Sequence, residues 1–382
     1  MNTQLRRKGK DYLEQAKQQI GPCLTVSLEC DGGGKNSQVH RDRLRRAMNR
    51  MAKRSDGSAE IRRLFAELKT LIDTREMWSG EYSGVCIHIS DGVTRFLKLP
   101  YPPVEKADLD DSFCLRPAAD AIAALGDWLA LNISLKSPRL YKFDGERARL
   151  LGEVDLPQSV YAFSEDGAVD SGQRAHVRRA RGVDTPHLVG HGMKANKNQR
   201  ELNEPVFMRE VSHAIGELPE SKELPMVVIG DTRVVSSFLD TYHHRGGEVF
   251  TVRNAESHPD AEAVASICRK VAWDNQQKRK SEVLRQIEEM RQRDGVFSNN
   301  VREVFEAAKQ GRVSAAVVSC DEEIWCRMGK DEKPRSAQAD EENAFEALDR
   351  IYLETMLKDG SAVVLPEDKI PGGKSVAAVF RW

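Results

Sequence analysis

Short apolar runs of strand length, separated by amphipathic stretches of helix length, recur along the whole chain, and this alternation limits the fold more than any other feature. CLTVSLE (Cys23–Glu29), GVCIHIS (Gly84–Ser90), TRFLKL (Thr94–Leu99), MVVIG (Met226–Gly230), EVFTVR (Glu248–Arg253), RVSAAVVSC (Arg312–Cys320) and SAVVLP (Ser361–Pro366) are short and rich in β-branched residues, which fits strands. Between them the periodicity predicts helices over Thr3–Gln19, Gln38–Arg54, Ala59–Thr74, Pro117–Leu131, Glu204–Leu218, Arg233–Tyr242, Asn300–Lys309 and Asp340–Lys358. Asp144-Gly145 between two β-like runs predicts a hairpin. From Asp260 to Asp294, Glu and Lys or Arg fall at i,i+4, which predicts one long charged helix bridging two domains. Strands alternating with helices predict packed α/β layers. At 382 residues the chain has room for several domains, each with its own core. The reading is a mixed α/β (α+β) chain of three α/β domains. The first covers residues 1–131, the second 132–256 with a long basic loop, and the third 257–382, opening with the long helix.

The apolar runs are all too short to cross a bilayer, and Met1 to Ile20 has the pattern of an amphipathic helix rather than of a secretory leader. No membrane partner is expected. Seven cysteines (Cys23, Cys30, Cys86, Cys114, Cys268, Cys320, Cys326) are scattered without a C-x-x-C pair, most of them inside apolar stretches. They read as reduced core thiols, and hence a cytoplasmic location is expected.

Charge is nearly balanced, with 58 Lys and Arg against 59 Asp and Glu, but it is unevenly spread. Gln38 to Arg54 carries seven basic residues against Asp42 alone, and Ser171 to Arg200 carries seven against Asp184 alone. A weakly acidic body with two concentrated basic segments suits a polyanion held at defined points. In the first segment Leu44, Met48 and Met51 form the apolar stripe of a helix. Arg41, Arg43, Arg45, Arg46, Arg50 and Arg54 then fall on outward faces with almost no acid to pair with, which predicts RNA phosphate contact; the alternative is a solvated surface.

Other chemistries find little support. Gly32-Gly33-Gly34-Lys35 follows a strand, but Glu29 and Asn36 stand where a phosphate loop needs Gly and Ser or Thr, leaving a flexible turn or an anion contact through Lys35. His187 and His191 are four apart, yet Pro186, Gly190 and Gly192 argue against a helix there. Neither they nor His243 and His244 have companions at metal-ligand spacing, so no metal site is assigned. No G-x-S-x-G and no cysteine in a basic context occurs, and nothing marks a cofactor site.

The segment between Pro157 and Arg200 is the most informative. It exceeds forty residues, is rich in Gly, Ser, Asp, His and Arg, and lacks apolar periodicity, as functional loops do. It contains Ser171-Gly172-Gln173 followed by Arg174, Arg178, Arg179 and Arg181, with Lys194 and Lys197 further on. A Gly-Gln pair alone means little, since chance supplies about one in a chain of this composition. Its setting adds meaning. RLYKFDGERARLLGE, SGQRAHVRRARG, VFMREVSHAIGEL and MVVIGDTRVVSSF together resemble the central domain of the archaeal and eukaryotic class-one peptide release factors and their Pelota relatives. SAVVLPED and GGKSVAAVFRW resemble the close of that family's C-terminal domain, so the resemblance points to a bacterial branch and runs over about Arg139 to Trp382.

The resemblance implies a factor that occupies the ribosomal A site, with ribosomal RNA and peptidyl-tRNA as partners and no cofactor. Gly172 would let the backbone approach the ester, and Gln173 would place a water and stabilise the oxyanion, which makes both catalytic candidates for peptidyl-tRNA hydrolysis. Arg174, Arg178, Arg179, Arg181, Lys194 and Lys197 would bind RNA phosphate. The C-terminal domain would contact a translational GTPase. Ser171 stands where the family has its first Gly, so loop support at that position departs from the pattern. No segment of the first domain matches the family's codon-recognition motif. Ribosome rescue or termination-like release is therefore the leading expectation. A non-catalytic hibernation or protection factor of the same fold, and a general RNA-binding stress protein, stay open beside it.

Overall fold

A computed structural model describes residues 7–382 except 20, 56, 153, 163–191, 244–246, 255–258 and 292–295. The chain groups into two compact units, one of Met1–Gly126 with Arg269–Trp382, the other of Asp127–Cys268. Both are mixed α/β. Two differences from the sequence reading concern domain borders. The first and last segments, taken above as separate domains, share one unit. The border expected between Leu131 and Asn132 falls inside a strand.

The first segment runs α1 (Arg7–Lys17), β1 (Cys23–Glu29), α2 (Ser37–Arg54), α3 (Ala59–Asp73), β2 (Gly84–Ser90), β3 (Val93–Leu99), β4 (Lys106–Asp110) and α4 (Ala119–Ala124). Its strands pair antiparallel in the order β3-β2-β1-β4, with Val26 opposite Ile87 and Ala107. Because side chains alternate between faces, Leu24, Val26, Leu28, Val85, Ile87 and Ile89 join Leu44 of α2 and Leu64, Leu68 and Ile72 of α3 in one core. Cys23, Cys86, Leu97 and Leu99 enter a second core with Tyr12 and Leu13 of α1. Burial on both faces explains why these strands read as continuous apolar runs.

The final segment of the chain supplies the rest of that second core. It contains most of α7 (Ala261–Met290), then β10 (Phe297–Ser298), α8 (Val301–Lys309), β11 (Val313–Ser319), β12 (Trp325–Met328), β13 (Pro334–Ser336), β14 (Ala344–Glu346), α9 (Ala347–Leu357), β15 (Ser361–Leu365) and β16 (Val376–Phe380). One sheet has the order β10-β16-β11-β15, with β11 and β15 parallel. Its Ala316, Val318, Ala362 and Ala378 face α8 and α9, whereas Ala315, Val317, Val363 and Val379 face Val283 and Ile287 of α7. A second sheet, β13-β12-β14, is a small meander. Leu348, Ile351 and Tyr352 of α9 share their core with Leu13, Phe113 and Ile122.

A polar lock sits beside this shared core. The Arg116 guanidinium is 5% exposed and donates through Nη1 to the Ser319 and Glu322 carbonyls, both at 2.6 Å. It also lies 3.3 Å from the Glu346 and the Asp349 carboxylates. Asp349 Oδ1 accepts the Leu115 and Arg116 amides at 2.9 and 3.0 Å, and Glu346 caps α9 by accepting the Asp349 amide at 2.6 Å. Lys17 with Glu354 at 2.8 Å, Lys280 with Asp120 at 2.8 Å, and Tyr352 Oη donating to the Ala119 carbonyl at 3.0 Å add further ties between the first and last segments.

The second unit contains β5 (Trp128–Ile133), β6 (Arg139–Phe143), β7 (Ala148–Leu150), α5 (Gly192–Gly216), β8 (Met226–Gly230), α6 (Thr232–Thr241), β9 (Val249–Arg253) and the start of α7. The strand order is β7-β6-β5-β8-β9, with β5, β8 and β9 parallel and the β6–β7 hairpin antiparallel. Leu129, Leu131, Ile133, Met226 and Val228 pack against Phe207, Met208, Val211 and Ile215 of α5 and Val235 and Phe238 of α6.

Several element expectations need correction. The helix expected to reach Leu131 stops at Ala124, and WLALNI is instead the central strand β5, since an apolar run of that length suits a buried strand or a helix equally. The helix expected from Asp340 begins at Ala347, after the Ala344–Glu346 strand. The charged helix expected to reach Asp294 is described to Met290. α5 begins twelve residues before the expected Glu204, and its Gly192 and Pro205 are what hid it. The strand β4 and the meander were not foreseen, because their strands are short and partly exposed.

His88, wholly buried, accepts from Tyr12 Oη at Nδ1 and donates from Nε2 to the Cys114 carbonyl at 3.0 Å, which fixes the neutral ring. Burial pushes its pKa down to about 4. The unfolded chain therefore binds a proton that the folded chain refuses between the ordinary value of about 6.5 and about 4, and stability falls as pH drops through that window. Chemical denaturation at pH 7 and pH 5 should differ by about 2 kcal/mol from this group, and His88→Gln should flatten the slope. Arg116→Met should cost about 3–5 kcal/mol in the same assay, because it leaves Glu346 and Asp349 buried without their cation.

Candidate functional site

Both ends of the segment that carries the Gly-Gln pair are fastened to the second unit. On the entry side, the Ser137 amide donates to the Gln158 carbonyl at 2.7 Å and the Val160 amide to the Leu135 carbonyl at 2.9 Å, with Val160 fully buried. On the exit side, α5 is held by Phe207, Met208, Val211 and Ile215, all at 0% exposure. Asn203 Nδ2 of α5 donates to the Val160 carbonyl at 3.3 Å and so joins exit to entry. Glu204, buried, receives Arg233 Nη2 at 2.9 Å and ties α5 to α6. Ser171, Gly172, Gln173, Arg174, Arg178, Arg179 and Arg181 lie outside the described residues. Lys194 and Lys197 fall within α5, but their side chains are outside the description as well.

The basic helix α2 is described except for the Arg54 side chain, and its arginines divide into two groups. Arg41 is 9% exposed and turned toward the helix, with Nη2 donating to Gln38 Oε1 at 2.6 Å. Arg43 pairs with Glu105 and donates from Nη1 to the Glu29 carbonyl at 2.9 Å. Arg45 bridges Asp42 and Asp73, each at 2.6 Å. Gln38 and Arg45 hold the Asp42 carboxyl below its usual range, and Arg45 does the same for Asp73. The expectation that these arginines lack acids is therefore corrected for Arg43 and Arg45. Asp73 and Glu105 come from α3 and from the stretch before β4, distant in sequence. Arg46 and Arg50 are exposed and form no ion pair among the described residues.

A cleft of about 400 Å³ opens beside these cations, between α2 and the β1–β4 edge of the sheet. Arg43, Arg46 and Arg50 line it from α2; Lys106 of β4 borders it but stands opposite Ser27, so its side chain points to the other sheet face, where it pairs with Glu323.

The triglycine turn takes a structural part. Gly32 and Gly33 have φ of +71° and +53°, and the Gly34 amide donates to the Gly80 carbonyl at 3.0 Å. A Cβ on Gly34 would stand 2.8 Å from the Trp78 carbonyl oxygen. Among the described residues no three of His, Cys, Asp and Glu gather as a metal would require, and His187 and His191 lie outside that set. None of the seven cysteines forms a disulfide, and six are buried. Burial pushes the thiols of Cys23 and Cys30 up to about 12, and burial with Asp321 takes Cys320 up to about 11, which leaves them weak nucleophiles. Among the described residues no helix is long and apolar enough to cross a membrane.

Two substitutions test these assignments. Gly34→Ala should lower unfolding stability by about 1–3 kcal/mol, since the added methyl meets fixed backbone. Arg46→Ala with Arg50→Ala should stay within about 0.5 kcal/mol of wild type, as neither side chain supports the fold.

Comparison with known proteins bears on the second unit above all. Residues 128–312 match the family described as bacterial archaeo-eukaryotic release factor family 3. No curated protein matches the chain. Similar solved structures include an archaeal translation termination factor, 11% identical, covering 100% of this chain and 99% of its own, with a TM-score of 0.22. A ribosome-bound archaeal Pelota is 11% identical over 99% of this chain and 95% of its own, with a TM-score of 0.36. The Pelota of Archaeoglobus fulgidus is 11% identical over 78% of this chain and 79% of its own, with a TM-score of 0.32. Scores this low carry no weight for fold or function. The family match begins at β5, takes in the whole remainder of the second unit, and includes the Ser171-Gly172-Gln173 segment. Residues 128–312 match bacterial archaeo-eukaryotic release factor family 3, in agreement with the release-factor and Pelota class that the sequence resembles.

Proposed function

We propose that the protein binds the ribosomal A site and acts there as a release-factor-type rescue or termination-like factor, with Gln173 and Gly172 directed at the ester of peptidyl-tRNA. The observation that carries the reading is the family match over residues 128–312, because it spans the segment with Ser171-Gly172-Gln173 and the arginines that follow. Fastened roots at Val160 and α5 support it, since a loop sent into a distant catalytic centre needs a firm base. In this reading glycine permits close backbone approach, and the glutamine amide positions water and stabilises the oxyanion without any titrating group. Arg174, Arg178, Arg179, Arg181, Lys194 and Lys197 neutralise RNA phosphate around the loop. The work divides among three segments of the chain, of which the first and last share one unit. The first faces ribosomal RNA through α2, chiefly through Arg46 and Arg50 and with Arg54 beyond them. The middle one carries the loop, and the last meets a translational GTPase. The setting is cytoplasmic.

Ser171 favours a second reading. If the position requires positive φ, serine strains the loop, and the factor occupies idle ribosomes without hydrolysis. One experiment separates the two: release of labelled peptide from ribosomes carrying peptidyl-tRNA and an empty A site, with co-sedimentation recorded in the same tubes. Wild type should release peptide, and Gln173→Ala should bind equally but release at least 100-fold more slowly. Binding by both without release assigns the hibernation role, and absence of binding by wild type ends the ribosomal reading. Arg46→Ala with Arg50→Ala should weaken co-sedimentation, with a shallower dependence on salt.

A further inference from the structure

We propose that Asn203 is a positioning residue for the Gly-Gln segment: its side-chain amide ties the exit of the segment to the entry, so that both roots leave the second unit at one place. The inference rests on the release reading above and concerns how that loop is aimed. Phe207, Val211 and Ile215, all fully buried, recur every four positions along α5 and form one row against the sheet. Asn203 stands four positions before Phe207 and continues that row, half-buried, where packing alone calls for an apolar residue. Its Nδ2 donates instead to the Val160 carbonyl at 3.3 Å, across 43 positions of sequence. A polar side chain that ends an apolar row with one long-range bond specifies geometry more than it adds stability.

Each partner of this bond is itself fixed. Val160 is fully buried, its amide donates to the Leu135 carbonyl at 2.9 Å, and Ser159 before it forms an antiparallel bridge with Lys136. Glu204, next to Asn203, is 5% exposed and receives Arg233 Nη2 of α6 at 2.9 Å. Pro205 follows inside the helix. It has no amide hydrogen to give to the carbonyl of Glu201, and its ring crowds that carbonyl, so the helical ladder is interrupted at this turn. The half of α5 after Pro205 is held by the core, and the turns before it are steered by the bonds at Asn203 and Glu204. A small change of direction at the roots grows along a segment of this length, so a bond far from the ester sets how the Gly-Gln pair meets it.

Three replacements separate aiming from packing. Asn203→Leu completes the apolar row but loses the donor, Asn203→Asp keeps the shape and loses the donor, and Asn203→Gln keeps an amide. In the free full-length protein, hydrogen exchange at the Val160 amide should speed up about tenfold in Asn203→Leu and Asn203→Asp, with β8 unchanged and Asn203→Gln close to wild type. On ribosomes carrying peptidyl-tRNA and an empty A site, the Leu and Asp variants at saturating concentration should release peptide about tenfold more slowly than wild type. Their half-saturating concentration should stay the same, and Asn203→Gln should recover most of the rate. Unchanged exchange at Val160 in both donor-less variants would overturn the proposal. So would wild-type release at saturation beside altered exchange, or a loss confined to the half-saturating concentration. If wild type binds ribosomes without releasing peptide, the release reading fails by itself, and the exchange comparison still decides whether Asn203 ties the roots.

Discussion

The unit formed by the two ends of the chain depends on the burial of Arg116 between Glu346 and Asp349. Arg116 lies over 200 positions from either carboxylate in sequence, and all three residues are at most 7% exposed. A buried ion pair seldom adds stability over a well-packed apolar one, because desolvation of both partners offsets their attraction. What it does impose is geometry. Asp349 accepts the amides of Leu115 and Arg116, and Arg116 answers with two carbonyls of the Ser319–Glu322 turn, so the first segment docks on the last in a single register. The apolar core around Leu13, Leu348 and Tyr352 could slide by small steps, whereas the lock permits one arrangement.

That rigidity sets the surroundings of α2. The helix packs Leu44 and Met51 on the sheet, and the sheet's opposite face is covered by α1 and the final segment. Lys106 stands opposite Ser27, so its side chain points to that covered face and meets Glu323 of the final segment. The cations of α2 are then sorted by neighbours that the tertiary fold delivers. Arg43 and Arg45 are neutralised by Glu105 and by Asp42 and Asp73, and Arg46 and Arg50 form no ion pair among the described residues. In the second unit the parallel strands β5, β8 and β9 carry α5 and α6, and Asn203 and Val160 bring the two ends of the Gly-Gln segment together.

Much of this was legible from residue patterns. Strands β1, β2, β8, β11 and β15 were read from their apolar runs, and helix α3 from its periodic Leu64, Leu68 and Ile72. The release-factor class was readable from four stretches of the middle region together with the closing strands, and it agrees with the family match over residues 128–312. Misreadings arose where local signals were ambiguous or weak. WLALNI has no periodicity that separates a central strand from a helix end, and β12, β13 and β14 have only three or four residues each. The basic helix was placed correctly, but which of its arginines are free could not be read, because the acids that quench them lie 28 and 62 positions away.

Sequence by itself determined the mixed α/β class, the two concentrations of positive charge and the family of the middle region, because each is written in neighbouring residues through periodicity, composition or a motif. Tertiary structure alone decided that the two ends of the chain form one unit, that Arg116 is a buried lock, that the triglycine turn serves backbone packing against Gly80, and that a cation-lined cleft opens beside β4. Each of those outcomes joins groups far apart along the chain, and a linear pattern carries no information about which distant surfaces desolvate one another.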